Sequence, residues 1–158
     1  MTAKPASPVI DPETAPQRIG SGYPLEFAGP CANRVKRALG TAAGLKNFGV
    51  NLTELPPGCW SSQRHWHSAQ DEFIYVIEGE VTLITDAGET LLKPGMSAGF
   101  PAGKPDGHHL INKSGKTAKY LEVGDRTPGD KAEYPDVDMR ASQVDGKYVA
   151  TRRDGTPY

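Results

Sequence analysis

GCWSSQRHWHSAQDEFIYVIEG, residues 58–79, gathers two histidines, two adjacent carboxylates and a run of β-forming residues into one stretch. Successive side chains on a strand point to opposite faces, so His65 and His67 project together while Trp66 projects away from them. Two imidazoles at that spacing make half of a metal site. Ser68 to Asp71 read as a turn, and the strand that follows carries Glu72, Ile74 and Val76 on one face. A carboxylate can therefore meet the two rings. The other histidines, His108 and His109, sit together at the start of a second apolar run, HHLIN, and a further ligand is expected from there.

These two segments resemble the two motifs of the cupin superfamily. The first motif, a glycine, then HxH, a glutamate and a closing glycine, is matched by Gly58, His65, His67, Glu72 and Gly79. The second, a PxG turn and a histidine followed three residues later by asparagine, is similar to the run from Gly95 through Pro101 and Gly103 to His108 and Asn112. The spacing departs from the motifs twice, with one extra residue between Gly58 and His65 and two extra between Gly103 and His108. Both departures lie in loops, and the second lengthens the approach to the site by Lys104 to Gly107. Spacing to Asn112 favours His108 over His109 as the ligand, with His109 on the opposite strand face.

The resemblance covers about residues 48–126. It implies an all-β fold, the double-stranded β-helix or cupin jelly-roll barrel, with both histidine segments facing inward. It also implies a divalent transition metal on His65, His67, Glu72 and His108, iron first, with manganese, nickel, zinc or copper as alternatives. A homodimer is expected from the same source, with the N-terminal arm or the outward sheet face as the contact.

At 158 residues the chain is long enough for one core and too short for two. Its formal charge of −1, with no long basic run, gives nucleic acid no electrostatic footing. The N-terminal stretch lacks the apolar centre of a secretion signal, and no stretch approaches the ~18 apolar residues of a membrane span. A soluble, cytoplasmic protein is expected, with no membrane or nucleic-acid partner. Two cysteines, Cys31 and Cys59, do not make a disulfide framework and read as reduced thiols.

Prolines at 5, 8, 12, 16 and 24 resist helix and central strand, so residues 1–47 read as an arm followed by an irregular segment, with a helical turn possible at Asn33 to Leu39. From Phe48 short strands follow at 48–55, 63–67, 72–78, 80–85, 89–92, 97–100, 108–112 and 117–124. Periodicity alone leaves sandwich and barrel open. The resemblance selects the barrel, over 48–126. Residues 127–158 are polar and turn-rich, with isolated tyrosines at 134, 148 and 158, and read as an irregular extension packing on the barrel rather than a lid over it.

Three neutral histidines and one glutamate leave a divalent centre at about +1, which favours an anionic oxygenated substrate such as a hydroxy acid, oxo acid or enediolate. Trp60 and Phe100 are pocket wall or core. Tyr120 shares a strand face with Glu122; if that face is inward, Tyr120 joins the substrate pocket and Glu122 is the candidate catalytic base or orients a histidine, and otherwise Glu122 is an outward charge. Asp71 reads as a solvent or turn-capping carboxylate. Arg64 and Lys104 are exposed charges or weak candidates for an anion site. A Cys59 thiolate paired with a nearby imidazole is a minor nucleophilic alternative. The expected function is a small-molecule oxygenase. The alternatives are a metal-dependent sugar or sugar-phosphate isomerase, which needs a cationic phosphate site, and a ligand-binding protein without turnover.

Overall fold

Glu72, Ile74 and Val76 turn inward and Phe73, Tyr75 and Ile77 outward along one strand, and that alternation fixes the wall on which the site is built. The computed structural model describes residues 8–158. The strands are β1 (Gln17–Ile19), β2 (Val35–Arg37), β3 (Phe48–Leu55), β4 (Trp66–His67), β5 (Glu72–Glu78), β6 (Val81–Thr85), β7 (Gly88–Leu92), β8 (Ser97–Phe100), β9 (His109–Ile111), β10 (Ala118–Asp125), β11 (Lys131–Tyr134), β12 (Met139–Val144) and β13 (Lys147–Thr151). They pair antiparallel in three sheets, ordered β1-β2-β3-β10-β5-β8, β7-β6-β9 and β13-β12-β11-β4.

The inward side chains of the first two sheets meet over Leu55, Ile74, Val76, Val81, Leu92, Leu110, Ala118 and Tyr120, all buried. Each fully buried aliphatic chain contributes about 1.5–3 kcal/mol, so this cluster holds the two barrel walls together. Gly79 makes the reversal from β5 to β6 at φ 71°, and a Cβ there would lie 2.9 Å from the Ala118 Cα and the Thr117 carbonyl oxygen. The asparagine of the second motif serves the fold: Asn112 is fully buried and donates to the Leu55 and Lys116 carbonyls, each at 2.7 Å.

The two ends of the chain differ from expectation. The N-terminal segment supplies β1 and β2, which extend the large sheet at its edge, where a proline-flanked strand costs no ladder bonds. Val35–Arg37 is a strand where the sequence also allows a helical turn; residues 1–7 of the expected arm lie outside the described residues. The C-terminal extension is not irregular. β11, β12 and β13 form a meander with its own core of Ala132, Tyr134, Met139 and Ala141, onto which Tyr23 and Phe27 pack. Small residues alternate there over four to six positions, too short and too polar outside to announce strands. No described helix is long and apolar enough to cross a membrane.

Candidate metal centre

Residues 58–65 run antiparallel to residues 108–112. The Ser61 amide donates to the Leu110 carbonyl (2.8 Å), and His65 and His108 exchange both backbone bonds (3.1 and 2.8 Å). The strand expected at 63–67 is thereby shortened to Trp66–His67, and His65 lies just before it in an isolated bridge. Opposed residues of an antiparallel pair share a face, so His108 joins His65 and His109 takes the other side. There His109 meets the edge of Trp60, ring centroids 4.7 Å apart, and its Nδ1–H donates to the Ser62 carbonyl (2.9 Å).

β4 and β5 bring the remaining groups. The Nε2 atoms of His65, His67 and His108 lie 3.6, 3.4 and 2.6 Å from the Glu72 carboxylate. Donor atoms of His65, His67 and Glu72 all fall within 4.8 Å of one another, and His108 joins them through Glu72. On the far side of the rings, His65 Nδ1–H donates to the Gln63 carbonyl (2.9 Å) and His67 Nδ1–H to Asp130 (2.5 Å). Each bond fixes the tautomer that leaves Nε2 directed at Glu72. His108 stacks on Phe100, 3.6 Å between centroids and 3° between planes.

Asp130 is fully buried and also accepts from the amides of Ala69 and Gln70 and from the Tyr148 hydroxyl (2.7, 3.2 and 2.7 Å). Burial disfavours charge on His67, but Glu72 and Asp130 outweigh it and raise its pKa to about 9. Burial alone would raise Glu72; the imidazoles around it, His65 foremost, hold it well below the usual carboxylate range. Burial pushes His108 down. An ionised carboxylate with three convergent imidazole nitrogens, braced from behind by a carboxylate and a carbonyl, is a donor set that fits a divalent transition metal.

These groups form part of the wall of a cavity of about 580 Å³. Phe100 and Tyr120 line it, as does Tyr134, whose ring is tilted against His65 with centroids 5.6 Å apart. Trp60 does not line it; it pairs with Ile111 and packs edge-on behind His109, whose ring reaches the cavity. Glu122 faces the cavity, and its bonds go to Lys36 (2.5 Å) and Asn51 (3.1 Å), not to a histidine. Burial works against its charge, and Lys36 outweighs burial and lowers its pKa.

Arg64 is engaged by Asp136 (2.7 Å) and Asp86, which leaves it no free fork for a substrate anion. Lys104 and Trp66 line a smaller cavity of about 170 Å³ that also reaches His67, Glu72 and His108. Asp71 accepts from the Ala102 amide (2.7 Å), a loop cap. Cys59 is buried and its thiol is pushed up by that burial, which disfavours a thiolate nucleophile. Asp130 and Tyr148 are not legible in the sequence as site residues. Asp130 lies 63 positions from His67 in a polar, turn-rich stretch, and the only local hint is a tyrosine isolated among polar residues.

The cupin domain family matches residues 51–124. A sugar phosphate isomerase of the cupin superfamily from Silicibacter pomeroyi is 44% identical over 96% of each chain, and its crystal structure superposes with a TM-score of 0.91. A candidate sugar phosphate isomerase from Acidithiobacillus ferrooxidans is 29% identical, covering 80% of this chain and 81% of that one, with a TM-score of 0.72. A polyketide cyclase from Streptomyces resistomycificus, 24% identical over 74% of this chain and 78% of its own, shares the fold with a TM-score of 0.59. A search of curated protein sequences finds no significant match. With both motifs on facing strands of one barrel and a relative alike over its whole length, the chain belongs to the cupin superfamily.

Proposed function

We propose that the chain is a metal-dependent isomerase of a sugar or sugar phosphate, with His65, His67, Glu72 and His108 as ligands of one divalent transition metal. One observation carries this reading: a convergent metal-donor set and a separate ionised carboxylate, Glu122, line the same cavity. Aldose–ketose exchange needs those two parts, an electrophile at the carbonyl oxygen and a base that carries a proton between adjacent carbons. The name borne by the Silicibacter pomeroyi relative supports it. An oxygenase would use the same donors, but a base on the wall favours isomerisation.

When bound, the metal supplies a Lewis acid that polarises the substrate carbonyl. Asp130 holds His67 in place, and the Phe100 ring, stacked on the His108 imidazole, holds the plane of that ligand. Glu122, kept ionised by Lys36, takes the proton from the carbon beside the carbonyl and returns it to the former carbonyl carbon, while the hydroxyl proton of the first carbon passes to the former carbonyl oxygen. Asn51 fixes the carboxylate from a second direction. Tyr120 and Tyr134 line the cavity beside these groups.

The test is incubation of untagged, metal-reconstituted protein in D₂O with aldose and ketose phosphates and their free sugars, followed by NMR. One aldose–ketose pair should interconvert, and Glu122→Gln should lower kcat about 10²–10⁴-fold at unchanged metal content. No interconversion, turnover only with dioxygen consumption, or full activity in Glu122→Gln would overturn the reading. We also propose that a second copy of the chain covers the outer face of the large sheet. Phe73, Tyr75 and Ile77 are 43, 43 and 44% exposed there.

A further inference from the structure

Arg34 is 6% exposed and lines the 580 Å³ cavity, yet it has no carboxylate partner among the described residues. Its Nη1 donates to the Ser61 carbonyl and its Nη2 to the Gly20 carbonyl (2.8 Å), both neutral acceptors. Its Nε is buried without a hydrogen-bond partner. A guanidinium stays charged at any ordinary pH, and a buried charge is normally paired.

No carboxylate of the wall forms an ion pair with Arg34, although Glu122 lies close enough to feel its charge. Glu122 is taken by Lys36 at 2.5 Å, and Glu72 is surrounded by three imidazoles. Arg18 and Lys147, exposed cations of the same wall, have no ion-pair partner among the described residues. The Ser21 hydroxyl, also in the wall, is buried and unpartnered. Unmatched donors and surplus positive charge thus share one chamber.

We propose that Arg34 and Ser21 form an oxyanion subsite that binds the phosphoryl group of the substrate, with Arg18 and Lys147 drawing that group in. This assignment rests on the isomerase reading for the remainder of the substrate and selects a sugar phosphate over a free sugar. A phosphoryl group carries about −1.5 to −2 charges and three acceptor oxygens, which matches several cations and a hydroxyl better than a single carboxylate does.

An acyclic polyol phosphate has no carbonyl and cannot be isomerised, so its binding reports the subsite alone. Calorimetry on metal-loaded protein compares it with the parent polyol and with the corresponding aldonate, in wild type and Arg34→Gln. The phosphate should bind at least tenfold tighter than the polyol, and Arg34→Gln should remove that preference at unchanged metal content. On the wild-type protein, the Arg34 Nε–H resonance, assigned by its loss in Arg34→Lys, should shift when the polyol phosphate is added; this reading stands even if Arg34→Gln fails to fold. A preference that survives Arg34→Gln, an unmoved Nε–H resonance, or tighter binding of the aldonate would overturn the assignment. Arg34-dependent phosphate binding without any isomerase turnover would sink the isomerase reading and leave the subsite standing.

Discussion

His67 is aimed by a residue 63 positions away. Asp130 is buried, accepts the His67 Nδ1–H at 2.5 Å and contributes to the raised His67 pKa of about 9. Asp130→Asn removes the charge at nearly constant shape, so metal affinity should fall about 10–100-fold, as measured by competition with a chelator. In the metal-free variant the His67 pKa should also drop below about 9, because the anion that favours the imidazolium is gone. Unchanged affinity together with an unchanged titration would contradict the role given to Asp130. Of the residues that meet at Glu72, His65 and His67 are legible in the sequence from strand alternation and short spacing, and His108 from the resemblance of the second motif and its spacing to Asn112. Asp130 is not, since no local period links it to β4.

The elements divide in the same way. β3 and β5 to β10 fall close to the expected strands because apolar alternation and glycine or proline turns bound them. β1, β2 and β11 to β13 have three to six residues each and draw their stability from neighbours, so their own sequence says little. Gly79 shows how tightly a turn is set. Gly79→Ala combines a φ of 71° with a Cβ 2.9 Å from the Ala118 backbone, and should cost about 1–3 kcal/mol of stability from backbone strain alone. Gly58→Ala has a similar φ of 78° with nothing within 4 Å and should cost less. Urea unfolding midpoints rank the two; an equal or reversed order would contradict this account of the turn.

For the whole molecule, the outer face of the large sheet aligns Tyr75 with Leu121 and Leu52, and Phe73 with Val123 and Val50. Contiguous apolar rows of this kind mark an interaction surface. Sedimentation should give the mass of two chains, and Tyr75→Lys with Leu121→Lys should reduce it to one; a one-chain mass for the wild type would contradict the pairing. The barrel itself is legible from two motifs, whereas the cavity is not, because its wall draws on both ends of the chain, from Arg18 to Ala150. The most direct test of the central claim is metal per chain, measured by mass spectrometry on untagged protein incubated with iron, manganese, nickel or zinc. About one equivalent in the wild type and in His109→Ala, lost in His67→Ala, Glu72→Gln and His108→Ala, is the expected result. No metal in any form, or loss in His109→Ala with retention in His108→Ala, would contradict it.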